Sequence, residues 1–271
     1  MPLAVAATPE GGIDTSSTPI LTIDGPRATI RLNRPRQHNR VEPADIVAMC
    51  AMLTEIAGNP DLHVLVLTGT GNKSFSSGYH IGDLAEKKAG GKAEQGSGFE
   101  VMADQLEELP IATICALNGS VYGGSTDLAL ACDFRIGIEG CRMFMPAARL
   151  GIHYYPGGLR RYVTRMGLGA AKKLFMTAQP IDAREMHRIG YLDEVVPADQ
   201  LAARVDELAA IIAENAPLAV QGMKRALNKI AAGAMDVAEI QANSALCRRS
   251  EDHGEGIRAW AEKRKPVFRG R

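Results

Sequence analysis

The pattern of apolar and polar positions along the chain changes repeatedly between strand spacing and helix spacing. Short apolar, β-branched runs predict three buried strands, at Val64–Leu67, Ala112–Leu117 and Phe134–Ile138. Two alternating segments on either side of a Gly-Pro turn predict a β-hairpin, at Ile20–Asp24 and Ala28–Leu32. Helical spacing predicts three helices among these strands, at Pro43–Ala57, Phe99–Leu109 and Thr126–Ala131. The alternation favours an α/β fold of βαβ units with right-handed crossovers.

Beyond Leu168 the pattern becomes mostly helical, and the apolar positions form wide stripes. The stripe positions are Leu201, Val205, Leu208 and Ile212, then Met223, Leu227 and Ile230, and the spacing continues through Ser244–Arg264. Helical faces this apolar must pack against the core or against a neighbouring subunit. The chain therefore divides into a flexible leader at 1–18, a core at 19–200 and a C-terminal helical region at 201–271.

Two glycine-rich turns carry the most informative chemistry, one within Val64–Leu84 and one within Ala112–Asp133. Each segment begins as an apolar strand pattern, passes through glycines and resumes as a helical pattern. Such turns can direct two backbone N–H groups at one carbonyl oxygen, which stabilises an oxyanion or an enolate. A dinucleotide-binding turn is the competing interpretation. It fails because Gly69–Lys73 continues into a loop, without a GxGxxG helix start or a Walker lysine pattern.

Composition narrows the class of protein further. The 271 residues are 46% hydrophobic and 23% charged, which is typical of a globular protein. The 31 basic and 31 acidic residues balance, so no long-range field would attract nucleic acid or a membrane surface. No apolar run reaches the roughly 20 residues that a membrane span needs. The five cysteines have neither CxxC nor zinc spacing, which predicts buried, reduced thiols and a cytoplasmic location.

Five motifs follow one another along the chain. They are Leu32-Asn33-Arg34-Pro35 with Asn39, Phe75-Ser76-Ser77-Gly78, Asn118–Gly124 followed by Asp133, Ala216–Ala219, and Glu251–Gly256 followed by Glu262–Phe268. In this order they resemble the crotonase (enoyl-CoA hydratase/isomerase) superfamily, and the similarity extends from Pro19 to the C-terminus. The resemblance implies a crotonase-like spiral of ββα repeats, followed by a C-terminal helical region that assembles a homotrimer or a dimer of trimers.

The resemblance also implies an acyl-coenzyme A thioester as substrate, with coenzyme A as its carrier and with no further cofactor and no metal. The backbone N–H groups of Tyr79 and Gly124 would hold the enolate of that thioester. Cationic and aromatic side chains suit the phosphates and the adenine of coenzyme A. The candidate contacts are Arg36, Asn39, Ser77, Lys263, Lys265 and Phe268, the last three from a neighbouring subunit. Arg40 departs from the family pattern, which usually has alanine there.

Two positions bear on proton transfer. Asp127 occupies the place of the first of two catalytic glutamates in the family's hydratases, with a side chain one methylene shorter. It also opens a predicted helix, where the helix dipole stabilises a carboxylate that has no catalytic role. Ala147 occupies the place of the second glutamate and cannot move a proton. The sequence therefore disfavours hydration by the two-carboxylate route.

The segment His153-Tyr154-Tyr155 is a further departure, in a stretch where family members with different chemistry place their working groups. Imidazole and phenol can both donate protons, and imidazole can also accept them near neutral pH. Alternatively, the three rings fill space left by smaller residues. His80, which follows Tyr79, either points into the acyl pocket or caps the following helix.

Two interpretations of the function stay open at this point. In the first, the chain is an acyl-CoA enzyme that holds an enolate while Asp127 and one or more of His153, Tyr154 and Tyr155 move protons. Its reaction would be isomerisation, decarboxylation or hydrolysis. In the second, the chain binds acyl-CoA without catalysis. Ala147 and the shortened Asp127 favour the second interpretation, and the intact glycine turns oppose it.

Overall fold

The computed structural model describes residues 18–79 and 98–271, and the predicted N-terminal hairpin leads into its main sheet. Strands β1 (Ile20–Asp24) and β2 (Arg27–Leu32) pair antiparallel, as the sequence predicts. Helix α1 (Pro43–Ala57) follows them. Glu42 and Asp45 form a capping box at its N-terminus, where each side chain accepts a hydrogen bond from the other residue's backbone N–H.

Three ββα units follow and explain why strand and helix spacing alternate in the sequence. Each unit places one strand in the main sheet, namely β3 (Val64–Gly69), β5 (Ala112–Leu117) and β7 (Phe134–Ile138). A short strand of a second sheet comes next, namely β4 (Ser74–Ser76), β6 (Ser120–Tyr122) and β8 (Arg142–Phe144). The helices that complete the units are α2 (Gly98–Glu107), α3 (Ser125–Ala131) and α4 (Pro156–Thr177). This is the α/β spiral of ββα repeats that the resemblance implies.

The last strands complete both sheets. They are β9 (Ile181–Asp182) and β10 (Glu194–Val196), with helix α5 (Ala183–Arg188) between them. The main sheet has the order β1-β2-β3-β5-β7-β10 and is parallel from β2 onward. The second sheet has the order β4-β6-β8-β9, in which the β8–β9 pair is antiparallel. The turns between paired long and short strands therefore lie where the two sheets meet.

Alternate residues of the main-sheet strands face two separate apolar clusters. Leu65 and Leu67 of β3 belong to the larger cluster, which α1, α2 and α3 also enter. Val64 and Val66 face the other side, where they meet helix α6 (Leu201–Ala213). The buried stripe of α6 consists of Leu201, Val205, Ala209 and Ile212. The first C-terminal stripe therefore packs against the core, one of the two outcomes that the sequence predicts.

The last three helices are α7 (Pro217–Ala231), α8 (Val237–Arg249) and α9 (Glu251–Glu262). Much of their apolar surface is exposed in the single chain. The second predicted stripe is exposed at Met223 and Leu227, and Trp260 of α9 has 88% of its surface exposed. The C-terminal helices thus combine one segment that packs on the core with three that present apolar side chains at the surface.

The sequence predicts most main-sheet elements closely and misses the second sheet. The strands over 112–117 and 134–138 and the helix over 43–57 have the predicted bounds. The strands of the second sheet have two or three residues each, too few to show an alternating pattern. His80 and, except for Thr18, the predicted leader lie outside the described residues.

Candidate active site

The two glycine-rich turns meet at their tips. Gly78 follows β4 and Gly124 precedes α3. A Cβ atom at Gly78 would lie 3.1 Å from the Gly124 nitrogen and 2.7 Å from the Tyr122 carbonyl oxygen. Gly78 also has a φ of 90°, in the left-handed region that favours glycine. Both the backbone conformation and the close approach of the turns therefore require glycine at this position.

Hydrogen bonding fixes the peptide plane at the tip of the first turn. The Gly78 carbonyl oxygen accepts from the Val41 N–H, with an N···O distance of 2.9 Å. A trans peptide holds its N–H opposite to its C=O, so the Tyr79 N–H points away from Val41. The direction of this N–H is thus set by backbone contacts rather than by the Tyr79 side chain.

The second turn is fixed in a similar way. The Gly123 carbonyl oxygen accepts from the backbone N–H and from the hydroxyl of Thr126, at 3.1 and 2.6 Å. The Gly124 N–H, on the opposite side of the same peptide, therefore points away from α3. It lies at the N-terminus of this helix, where backbone N–H groups have no helical acceptor. A carbonyl oxygen is the kind of group that such an N–H accommodates.

Asp127 lies in the first turn of α3, three residues after Gly124, and is fully buried. Arg161 donates to both carboxylate oxygens, from Nε to Oδ1 at 2.9 Å and from Nη2 to Oδ2 at 2.7 Å. The Tyr155 hydroxyl donates to Oδ2 at 2.6 Å. A carboxylate has about four acceptor sites, so three are already occupied. Asp127 is therefore positioned to orient Tyr155 rather than to abstract a proton from a substrate.

Arg161 is fully buried and lies at the centre of a cluster of charges whose outer members are partly exposed. The cluster consists of three arginines and three carboxylates: Arg160, Arg161, Arg165, Asp104, Glu107 and Asp127. Arg161 Nη1 donates to Asp104 at 2.7 Å and to Glu107 at 3.0 Å. Burial by itself would lower the pKa of Arg161, but its bonds to the carboxylates raise that pKa above its ordinary value. Burial raises the pKa of Glu107, but the arginines outweigh it and hold this pKa below its ordinary value.

Tyr154 and Tyr155 stack beside this cluster, with their ring centroids 4.4 Å apart. The Tyr154 hydroxyl donates to the Tyr155 hydroxyl at 3.4 Å. A Cβ atom at Gly158 would lie 2.3 Å from the Tyr154 ring, so this glycine leaves the space that the rings occupy. Burial, followed by the charge of Asp127, raises the pKa of both hydroxyls. Both phenols are therefore protonated at neutral pH, and they fill space as well as donating hydrogen bonds.

The buried tyrosines are expected to ionise at an unusually high pH. Burial raises the pKa of Tyr154, Tyr155, Tyr162 and Tyr191 above the ordinary value. In the unfolded chain these groups ionise near pH 10, so ionisation favours unfolding and stability falls as the pH rises above about 10. We expect four of the six tyrosines to ionise only as the fold is lost, in a titration followed by phenolate absorbance and circular dichroism. Ionisation of all six before any unfolding would contradict this.

His153 and Ala147 lie on the segment that leads into α4. Ala147 begins a 3₁₀ helix (Ala147–Leu150) and is buried, so this position holds no proton-transfer group. His153 is exposed, and its Nδ1 lies 2.8 Å from the Tyr154 carbonyl oxygen. A carbonyl only accepts, so in neutral His153 this contact places the proton on Nδ1 and leaves Nε2 as the acceptor. Of the three predicted rings, Tyr155 alone bonds directly to Asp127.

The three N-terminal candidates for coenzyme A contacts have different environments. Asn39 is 1% exposed, and its amide nitrogen donates to the carbonyl oxygens of Thr70, just after β3, and Ser74, at the start of β4, at 2.9 and 3.0 Å. Its side chain therefore braces the first glycine turn. The Ser77 hydroxyl donates to the Gln37 carbonyl at 3.4 Å. Arg36 is exposed in a 3₁₀ helix (Pro35–Gln37) and is the one of the three with a charged group at the surface.

The three C-terminal candidates follow α9. Lys263 ends the helix with a φ of 54°, and Lys265 is exposed and pairs with Glu214 at 2.7 Å. Phe268 lines a cavity of about 450 Å³ bounded by residues of α7, α8 and α9. The residues lining this cavity do not include any member of the charged cluster around Arg161. Within one chain, Phe268 therefore lies at a cavity separate from that cluster.

Arg161 and Glu107 are the site residues that sequence reasoning missed. The available signal was an Arg-Arg pair directly after Gly157-Gly158-Leu159 at the start of a helix, which by itself indicates a solvated face. Within residues 18–79 and 98–271, no group of three or more His, Cys, Asp or Glu side chains is arranged to hold a metal ion. Among the helices in those ranges, none has the length and apolar character to cross a membrane.

Comparisons with known sequences and solved structures agree with the fold. The sequence profile of the enoyl-CoA hydratase/isomerase family matches residues 25–271. The short-chain-enoyl-CoA hydratase of Clostridium acetobutylicum is 33% identical over 91% of this chain and 95% of its own length. The crotonyl-CoA hydratase of Syntrophomonas wolfei is 33% identical over 89% of this chain and 94% of its own. The crystal structure of an enoyl-CoA hydratase from Bacillus anthracis superimposes with a TM-score of 0.81 at 32% identity, covering 93% of this chain and 99% of that one.

Proposed function

Because the chain belongs to the enoyl-CoA hydratase/isomerase family, we propose that its two glycine turns hold the enolate of an acyl-CoA thioester. The protein is an enzyme of the lyase and isomerase type that acts on acyl-CoA thioesters. The observation that carries the proposal is the close approach of Gly78 to Gly124. The carbonyl oxygens of Gly78 and Gly123, which precede the two proposed N–H donors, are already hydrogen-bonded to Val41 and Thr126. Two N–H groups directed at one oxygen stabilise the charge that develops on an enolate.

In this proposal Tyr155 is the proton donor. Its bond to Asp127 holds the hydroxyl in place, and the hydroxyl proton turns from Asp127 Oδ2 to the substrate for the transfer. Arg161 and Tyr155 occupy three acceptor sites of Asp127, and Ala147 supplies no base. A raised pKa makes Tyr155 a weak acid. A thioester enolate is a stronger base than a phenolate, so it still takes a proton from this hydroxyl.

The site then contains an acid, Tyr155, and no free carboxylate base. Among the reactions left open by the sequence, this combination favours decarboxylation. Loss of CO₂ from an acyl-CoA with a carboxylate on its α-carbon breaks the C–C bond and leaves its electron pair as the enolate. The Tyr155 proton then adds to the α-carbon, and water returns a proton to the phenolate. Hydration and isomerisation each need removal of a proton from water or carbon at an early step. The two relatives described above are hydratases, which makes hydration the second candidate.

The proposal is tested by incubating the protein with a panel of acyl-CoA thioesters in deuterated water and measuring the masses of the products by mass spectrometry. The panel contains crotonyl-, 3-enoyl-, dienoyl-, methylmalonyl- and β-ketoacyl-CoA. We expect methylmalonyl-CoA to lose CO₂ and to gain deuterium at the α-carbon. Addition of water to crotonyl-CoA would instead establish hydration. Binding of the panel without any conversion would favour the non-catalytic interpretation.

Two variants of Gly124 test the enolate site within the same assay. Gly124→Pro replaces the N–H by a ring carbon, and the φ of −56° at this residue already suits proline. Gly124→Ala keeps the N–H and adds a methyl group 3.1 Å from the Phe99 ring, so it controls for crowding. We expect turnover to fall about 100-fold in Gly124→Pro and much less in Gly124→Ala. Equal losses in both variants would contradict a role for the N–H.

The assembly and the location also form part of the proposal. Coenzyme A is the carrier of the acyl group, and no other cofactor takes part. The exposed apolar side chains of α7 and α9 support a homotrimer or a dimer of trimers, in which a neighbouring subunit covers them. In that arrangement Lys263, Lys265 and Phe268 can reach the coenzyme A of an adjacent subunit. All five cysteines are free thiols, in line with the cytoplasm as the compartment.

A further inference from the structure

Two buried serine hydroxyls join the glycine turns. Ser76 ends β4 and Ser125 begins α3, and both are 0% exposed. Their Oγ atoms lie 2.6 Å apart. Ser76 Oγ also lies 2.7 Å from the Asn39 carbonyl oxygen and 3.1 Å from the Gly78 nitrogen. One hydroxyl oxygen therefore has three partners at the base of the first turn.

The partners determine the direction of each hydrogen bond. A hydroxyl has one proton to donate and two lone pairs that accept. The Asn39 carbonyl only accepts, so the Ser76 proton is directed to it. The Gly78 N–H only donates, and it uses one lone pair of Ser76 Oγ. Ser125 must then donate to the second lone pair, which satisfies Ser76 completely and bonds the start of α3 to the end of β4.

We infer that the Ser76–Ser125 pair is a positioning device that sets the separation and orientation of the Tyr79 and Gly124 N–H groups. The inference rests on the proposed enolate site. Ser125 directly follows Gly124 in the chain, and the N–H that Ser76 holds belongs to the residue before Tyr79. The pair thus bonds the two turns to each other next to both proposed donors.

The magnitude of the effect follows from the geometry that catalysis requires. A reacting group displaced by about 1 Å can lose roughly 100-fold in rate. Loss of the Ser125 hydroxyl removes only the bond between the turns, because Ser76 keeps its other two partners. Loss of the Ser76 hydroxyl also releases the Gly78 N–H. We therefore expect a graded response, with turnover lowered about 10-fold in Ser125→Ala and further in Ser76→Ala, while the affinity for coenzyme A changes little.

The direct test is the infrared stretching frequency of a bound thioester carbonyl, which falls when N–H groups polarise it. The probe is butyryl-CoA labelled with ¹³C at the thioester carbonyl, added to the full-length protein. We expect the wild-type protein to lower the frequency relative to water, and Ser125→Ala and Ser76→Ala to return it toward the value in water. Ser125→Thr keeps a hydroxyl and is expected to retain most of the wild-type shift.

A matched control removes a buried hydroxyl that joins strands β3 and β5 rather than the tips of the glycine turns. Thr68→Val deletes the hydroxyl that donates to the Ala116 carbonyl on the main sheet, and we expect it to preserve the carbonyl frequency. If Ser125→Ala binds the probe with an unchanged wild-type frequency, the inference is wrong while the enolate site stands. If the wild-type protein binds the probe without any shift, the enolate site itself is wrong, and the inference falls with it. Should Ser76→Ala fail to fold, Ser125→Ala and Ser125→Thr still decide the question.

Discussion

Replacing Arg161 by leucine is expected to lower the free energy of unfolding by about 3–5 kcal/mol, because removing one partner from a buried ion pair leaves an uncompensated charge. The Arg161 side chain is 0% exposed, and it bonds to Asp127, Asp104 and Glu107. Arg160 still pairs with Glu107 in the variant, but Asp127 would keep only the Tyr155 hydroxyl. Urea unfolding followed by circular dichroism measures the loss.

A surface pair provides the control for this substitution. Arg188 bonds to Glu185 with 67% of its side chain exposed, so Arg188→Leu is expected to leave the unfolding free energy nearly unchanged. The double variant Asp127→Asn with Arg161→Leu removes both charges of the central pair and should recover part of the stability. The double-mutant cycle then isolates the coupling between the two side chains. An Arg161→Leu variant no less stable than Arg188→Leu would show that the cluster does not depend on this guanidinium.

The central strands of the main sheet were predictable because they are covered on both faces, and buried strands produce uninterrupted apolar runs such as Ala112–Leu117. The edge strand β10 (Glu194–Val196) is only half-buried and was missed. The second sheet was not predictable. Its strands, such as Ser120–Tyr122, are too short to carry a period, and pairing with strands distant in sequence defines them. The sequence also could not show which C-terminal helices pack on the core and which expose their apolar faces, because the apolar stripe has the same pattern in both cases.

The glycine turns could be identified from the sequence because glycine is required there for local reasons, and Asp127 could be identified from its position in the family motif. The partners of Asp127 could not. Arg161 lies 34 positions further along the chain, and the packing of α4 against α3 alone brings it to both carboxylate oxygens. Asn39 shows the reverse case. Its motif position suggested a coenzyme A contact, whereas burial and two backbone acceptors give its amide a bracing role in the fold.

Tyr155→Phe is expected to lower turnover about 1000-fold with little change in KM, since positioned general acids contribute roughly 10²–10⁴-fold. The substitution removes the hydroxyl bonded to Asp127 Oδ2 and keeps the stacked ring. Asp127 retains both bonds from Arg161, so the fold should lose only about 1 kcal/mol. Steady-state kinetics on whichever thioester the panel converts, together with urea unfolding, separate the two effects.

Variants of two other tyrosines serve as controls for the role of Tyr155. Tyr191 is also a phenol whose pKa burial raises, but it donates to the Thr126 carbonyl, so Tyr191→Phe should lose a similar amount of stability and keep the turnover. Tyr154 donates to the Tyr155 hydroxyl at 3.4 Å, which suits it to pass a proton from water to the Tyr155 phenolate after each turnover. Tyr154→Phe should therefore slow the reaction less than Tyr155→Phe. If the order is reversed, or if Tyr155→Phe turns over within about threefold of the wild type, the proton comes from another group and the role of Asp127 is structural.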